Sequence, residues 1–162
     1  MESKDKKKKS DNLIEKELLG LSSKFSKNDT LVIILAAGHG KRIRSSTSKM
    51  LHTIWGIPSI ERVRLAVNDG IPKSNVTIVV GIKALDVANT VGKQPNTIFA
   101  YQESQMGTGH AVRIGLEKSD LKNPEDNMIC PFSDLGLIKK EHIRGKDEII
   151  YKTVPERNKL DK

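Results

Sequence analysis

Leu31-Val32-Ile33-Ile34-Leu35 is an uninterrupted apolar run that leads directly into Ala36-Ala37-Gly38-His39-Gly40-Lys41-Arg42-Ile43-Arg44. A strand with one wet face alternates apolar and polar residues. A continuous β-branched run of this length reads instead as a strand buried on both faces, as in a parallel sheet. The loop after it has two small residues and two glycines, so its backbone can approach a ligand closely. Lys41, Arg42, Arg44 and Lys49 add four positive charges, with no acidic residue between 36 and 60. Exposed N–H groups and cations at a strand end match a pyrophosphate or triphosphate.

Three further runs read as strands: Val76 to Gly81, Thr97 to Tyr101 and Met128 to Phe132. Helical patterns separate them, over Pro58 to Asn68, Lys83 to Val91 and Thr108 to Lys118. This alternation predicts right-handed crossovers and a doubly wound, mostly parallel, Rossmann-like α/β sheet. In such sheets ligands sit beyond the carboxyl ends of the strands. No repeat of fixed period is present. The organisation read from the chain is a basic tail with a short amphipathic helix over 1–29, a nucleotide-binding part over 30–145, and a polar segment without a motif over 146–162. Within the first part, residues 1 to 9 read as a solvated tail. Ser10 or Asp11 is the expected helix cap. Leu13, Ile14, Leu18, Leu21 and Phe25 form the face that docks on the domain.

Composition narrows the partners. The net charge is +8, from 28 basic and 20 acidic residues, and residues 1–29 account for only +2 of it, with 8 basic and 6 acidic side chains. The balance calls for an anion. Aromatic residues make up only 4%, which argues against a stacking platform for nucleic acid. One cysteine, Cys130, gives neither an internal disulfide nor a thiolate zinc site. The longest apolar run, Leu31 to Ala37, is far short of the ~20 residues of a membrane span, and no secretory pattern opens the chain. The expected location is cytoplasmic.

Two common phosphate motifs do not fit. A dinucleotide fingerprint needs a small residue where Ile43 stands and an acid near Gly81-Ile82-Lys83; a P-loop needs Gly at Leu35 and Ser or Thr at Arg42. Two other loops carry chemistry. After Tyr101 comes Gln102-Glu103-Ser104-Gln105-Met106-Gly107-Thr108-Gly109-His110-Ala111. The Gln102 amide can donate and accept, which suits a nucleobase edge. Thr108 is positioned to cap the following helix. His110 and His52 read as packing or hydrogen-bonding residues. After Phe132 comes Ser133-Asp134-Leu135-Gly136-Leu137. There Asp134 either caps a turn or holds Mg²⁺ together with nucleotide phosphates.

Together the loops resemble the sugar-phosphate nucleotidyltransferase family, most of all its N-acetylglucosamine-1-phosphate uridylyltransferases. Leu35-Ala36-Ala37-Gly38-His39-Gly40-Lys41-Arg42 with Lys49 matches the opening pattern Leu-Ala-Ala-Gly-x-Gly-x-Arg and its later Lys. Met50-Leu51-His52, Gly56-Ile57-Pro58 and Gln102 to Ala111 also match, and the likeness runs from about Leu31 to Ile143. The departures are Lys41 for Thr, Ser48 for Pro, and a metal loop that keeps Asp134 but lacks its Gly-Asp-x-Pro-Leu setting. The resemblance implies a Mg²⁺-dependent transfer from UTP to a sugar 1-phosphate, giving UDP-N-acetylglucosamine for cell wall biogenesis, and pyrophosphate.

It further implies that Leu35, Ala36, Ala37, Gly38 and Gly40 cradle the nucleotide, with Arg42 and Lys49 at the phosphates as the catalytic pair. Gln102, Gly107 and Thr108 would read the uracil, Phe132 and Ser133 would line the nucleotide, and Asp134 would hold the metal. The family's sugar-binding strands and second metal ligand lie beyond the matched stretch. The chain therefore reads as a truncated sheet with mainly the nucleotide half of a site, little turnover alone, and an open edge near Met128–Phe132 or Glu148–Val154 that invites self-association. Three alternatives stand beside this reading: a molybdopterin cytidylyltransferase-like enzyme with another base or acceptor, a non-catalytic nucleotide-binding module, and a nucleic-acid binder acting through its basic tail.

Overall fold

A computed structural model describes residues 2–27, 30–38, 48–120 and 128–129. Helix α1 (Glu2–Leu21) leads to strand β1 (Leu31–Ala36). A short 3-10 helix (Lys49–Leu51) and the strands β2 (Thr53–Ile54) and β3 (Ile57–Pro58) come next. Then α2 (Ser59–Gly70), β4 (Asn75–Val80), α3 (Ala84–Val91), β5 (Thr97–Tyr101), α4 (Thr108–Ser119) and β6 (Met128–Ile129) alternate. The main sheet has the order β5-β4-β1-β6. All its pairings are parallel: Leu31 to Ala36 lie against Asn75 to Val80, Val76 to Val80 against Thr97 to Tyr101, and Leu31 and Val32 against Met128 and Ile129.

The sheet is covered on both faces, as the apolar run requires. Val32, Ile34 and Ala36 join Leu18 of α1, Ile60, Val63 and Val67 of α2, and Val87, Ala88 and Val91 of α3 in one layer. Leu31 and Ile33 join Val79, Ala100 and Ala111 in the other, with Val112, Ile114 and Leu116 of α4 packed on it. Successive residues of β1 thus enter opposite layers, and a polar residue at any of these positions would be buried. Helix α4 lies very close to the sheet: a Cβ on Gly115 would come 2.8 Å from Ile33 Cγ2 and 3.1 Å from Val79 Cγ2. The chain steps outward from β1 through β4 to β5, then returns by α4 to place β6 on the other side of β1. The order reverses between β1 and β6, and in such sheets ligands are taken beyond the carboxyl ends of the strands at a reversal of this kind.

Two expectations are corrected. The chain over residues 2 to 9 is not a free tail leading to a cap at Ser10 or Asp11, because α1 is one helix from Glu2. Lysine is a good helix former, and adding turns to an existing helix costs little once its other end is fixed. Leu18 is buried, Ile14 and Leu21 pack beside it, and Phe25 packs on the opposite layer, while Leu13 remains 57% exposed. The second is a hairpin, β2–β3, where no strand was read and where Pro58 was taken as the start of the helix. Trp55 and Gly56 both have positive φ, 51° and 78°, which a tight two-residue hairpin loop needs. Trp55 is exposed, and the Arg62 guanidinium lies 5.3 Å from its ring centroid, a cation–π contact.

The outer edge of β5 is closed by the exit from α1. Ser23 N–H donates to Thr97 O at 2.7 Å, and Phe99 N–H donates to Ser22 Oγ at 3.0 Å. On the opposite side β6 is outermost among the described residues. The remainder of the strand read at Met128 to Phe132, and the stretch Glu148–Val154, lie outside them. No helix among the described residues is long and apolar enough to cross a membrane.

Candidate nucleotide site

At the end of β1 the chain leaves through Ala36 and Ala37, both buried, to an exposed Gly38. A Cβ on Gly38 would meet nothing within 4 Å, so the loop opens onto free space there. The crowded glycine is Gly81, just after β4. A Cβ at that position would stand 2.9 Å from Ala37 O and 3.0 Å from Ala37 Cβ. Gly81 therefore allows the exit of β1 to pass across the end of β4. Sequence reading weighed Gly81 only as a strand end.

The loop after β5 is built around two glutamines. Gln102 N–H donates to Val80 O at 2.8 Å, which carries the parallel ladder one residue past β5. Its side chain is 4% exposed. Nε2 faces His110 Nδ1 at 2.9 Å and Gly107 O at 3.4 Å, while Oε1 has no hydrogen-bond partner among the described residues. Gln105 Nε2 donates to Ala37 O. That one bond joins the loop after β5 to the loop after β1, and it is the feature of the site that the residue-by-residue reading missed. Gln105 sits inside the matched motif, yet nothing in its spacing says which of two glutamines reaches 68 residues back.

Thr108 does not cap α4. Gly107 is the cap, with φ 91°, and the helix starts at Thr108 without a side-chain cap bond. Only glycine adopts that φ readily, so the turn falls to Gly107 and Thr108 enters the first helical turn. Gly107, Thr108 and Gly109 are exposed there. His110 acts as read, as a hydrogen-bonding residue. Lys49 opens the 3-10 helix after Ser48, whose Oγ accepts from Met50 N–H at 3.4 Å. Met50 is buried in the layer of α2 and α3 and anchors that helix. Of the site residues read from sequence, Ala37, Gln102 and Gly107 meet through the bonds of Gln102 and Gln105. Leu35 and Ala36 lead into Ala37, and neither Lys49 nor Thr108 takes part in those bonds. Gly40, Arg42, Phe132, Ser133 and Asp134 lie outside the described residues.

Helix α1 reaches the same loop from the flank. Tyr101 O–H donates to Asp11 Oδ1 at 3.2 Å, and Lys7 Nζ lies 2.9 Å from Glu103 Oε1. Burial holds the Tyr101 hydroxyl above its ordinary pKa, helped by the Asp11 charge. The hydrogen bond and charge of Glu103 raise Lys7, and the same contact with Lys7 lowers Glu103. Among the described residues no group of three or more His, Cys, Asp and Glu side chains is placed to hold a metal.

Curated relatives include bifunctional GlmU proteins. That of Acetivibrio thermocellus is 40% identical over 114 residues, 70% of this chain and 23% of its own. Those of Brucella anthropi and Thermoanaerobacter pseudethanolicus are 36% and 41% identical, over 73% and 67% of this chain and 26% and 22% of theirs. The chain is a relative of GlmU. The resemblance carried by the loops after β1 and β5 is borne out, and the chain spans about a quarter of the length of the GlmU proteins it matches. No family model matches. Among solved structures, Rv0371c from Mycobacterium tuberculosis superposes with a TM-score of 0.56 at 15% identity, covering 74% of this chain and 59% of that one. That likeness speaks to the fold alone, and it agrees with the doubly wound sheet.

Proposed function

We propose that these loops form the nucleotide half of a uridylyltransferase site, which joins UTP to N-acetylglucosamine 1-phosphate and releases pyrophosphate. The observation that supports this most is the Gln102 amide. Its nitrogen is committed to Gly107 O and His110 Nδ1, and its oxygen is left to accept a hydrogen bond of the kind a uracil N3–H would offer. The GlmU relatives favour the same chemistry.

The sugar phosphate brings an oxygen already ionised near neutral pH, so the chain needs no activated nucleophile. What it supplies is position and charge. Backbone at Ala36 to Gly38 holds the phosphates, Arg42 and Lys49 neutralise them, and Gln102 with Gly107 orients the base. Asp134 offers a lone carboxylate, with no second acidic residue from 128 to 140 in the sequence. That donor set fits Mg²⁺, which commonly takes one or two carboxylates and fills its remaining positions with phosphate oxygens and water. When bound, Mg²⁺ would neutralise phosphate charge and fix phosphate geometry.

Calorimetry with UTP, with and without Mg²⁺, tests the reading. Binding strengthened by Mg²⁺ is the expected outcome; a folded sample that binds no nucleotide refutes it. Lys49→Ala is expected to weaken UTP binding far more than Lys6→Ala, because a cation at the phosphates contributes more than one in the lysine run at 6 to 9. Equal effects would mean that the basic balance acts diffusely.

A further inference from the structure

The position of Gly107 decides which way the Gln102 amide points. A carbonyl oxygen only accepts, so the amide group 3.4 Å from Gly107 O is the nitrogen. The same nitrogen lies 2.9 Å from His110 Nδ1, so Nδ1 must accept, and the ring proton sits on Nε2. Turning the amide over would set Oε1 against the Gly107 carbonyl, two acceptors facing each other. With both donors of Nε2 engaged, Oε1 is the end left for a ligand.

This matters because uracil and cytosine differ at N3. Uracil carries a donor there and cytosine an acceptor. An amide fixed with its oxygen outward pairs with the first and opposes the second, whereas an amide free to turn over would accept both. Mispaired buried polar groups produce large discrimination.

We propose that His110 is a specificity-determining positioning residue: it locks the Gln102 amide with Oε1 outward, so that the site takes a base with an N3–H and rejects one with a bare N3. The inference rests on the reading that a nucleobase is taken at the Gln102 loop, although the lock itself exists without ligand.

Two measurements on the full chain test it. Nitrogen-15 NMR without nucleotide is expected to show the neutral His110 ring protonated at Nε2. Protonation at Nδ1 would overturn the lock whether or not nucleotide binds. UTP and CTP affinities are then compared in wild type, His110→Ala, His110→Asn, Gln102→Ala and the double Ala variant. The expected result is about a tenfold fall in the UTP/CTP affinity ratio for His110→Ala, the scale of one hydrogen bond. His110→Asn, whose amide oxygen can accept in place of Nδ1, should restore most of that ratio. In the Gln102→Ala background, His110→Ala should change nothing further. An unchanged ratio in folded His110→Ala, or an equal fall in the Gln102→Ala background, would overturn the proposal. If the wild type binds no nucleotide, the functional reading fails, and the NMR result still decides the lock.

Discussion

Two buried amides at opposite ends of the sheet are used in opposite ways. Asn75, at the amino end of β4, is 0% exposed. Its Oδ1 accepts from Ser26 N–H at 2.9 Å and lies 3.2 Å from Ser26 Oγ, and its Nδ2 donates to Ser26 O at 3.3 Å. Both ends of the amide are spent inside the protein. The result is a strap that fixes the chain between α1 and β1 to the base of the sheet. Gln102, at the carboxyl end, is nearly as buried but commits only its nitrogen. A buried polar group satisfied on both sides specifies the fold, and one satisfied on one side only has kept capacity for a ligand. The cleft at the amino end, about 240 Å³, is lined in part by Arg64, Asn68 and Gln94. There Arg64 makes three contacts with Glu61, at 3.2 Å to Oε1 and at 2.8 and 3.0 Å to Oε2.

If this contrast is right, the two ends should separate stability from binding. Asn75→Ala removes three hydrogen bonds that a fully buried side chain makes to Ser26, and should cost about 2–3 kcal/mol of folding stability. The UTP affinity of the folded fraction should remain unchanged. Urea denaturation and calorimetry check the two halves of that statement. A parallel loss of affinity would break the contrast, because the amino end would then be coupled to the site.

Gln105→Ala is the reverse experiment. Its side chain ties the Gln102 loop to Ala37 O, at the exit of β1, and removing it leaves the loops on two strands without that link. UTP affinity should fall about tenfold, equivalent to ~1.4 kcal/mol, with a smaller change in the urea midpoint. A large stability loss with intact affinity would show that Gln105 is a fold residue.

The sheet was legible because burial on both faces leaves a direct mark on sequence. Leu31 to Leu35 has no polar residue, and the observed strand ends one residue later, at Ala36. The helices after Pro58, Lys83 and Gly107 were legible from periodicity, with ends that moved by one or two residues. Local signals failed where structure is imposed from a distance. The charged run at residues 2 to 9 has no apolar period, and its helix is extended from a docked end at Leu18. The turn at Trp55-Gly56 was missed because tryptophan is a poor signal for positive φ. The links Gln105–Ala37, Asn75–Ser26 and Tyr101–Asp11 join residues 68, 49 and 90 apart, which composition and spacing cannot pair. The candidate site residues stand out in the sequence as motif positions, and Gly38, Gln102 and Gly107 each stand at a strand or helix end. How the Gln102 amide is turned was not legible, because it depends on a carbonyl five residues away and on a histidine proton.

The smallest effect is expected where the two regions meet, at Lys7 and Glu103. The pair is solvent-exposed on both sides, so salt screens it and the cost of ordering two long side chains offsets most of its attraction. Its pH dependence has a definite sign. Glu103 is lowered in the folded state, so its contribution is present above the unfolded carboxylate value and is lost as pH falls through the depressed one. Lys7 is raised, so its contribution is present below the unfolded ammonium value and is lost as pH rises through the raised one. The contact therefore operates across the neutral range and fails first in acid or strong alkali. Lys7→Ala should lower the melting temperature slightly in low salt and not at all in high salt. Because Glu103 follows Gln102 directly, the same variant asks whether α1 helps hold the base loop. The Gly107 and His110 contacts already fix the Gln102 side chain, and Gln105 fixes the loop to β1, so UTP affinity should stay within about twofold of wild type. A larger loss, measured by calorimetry in low salt, would mean that α1 belongs to the site and not only to the edge of β5.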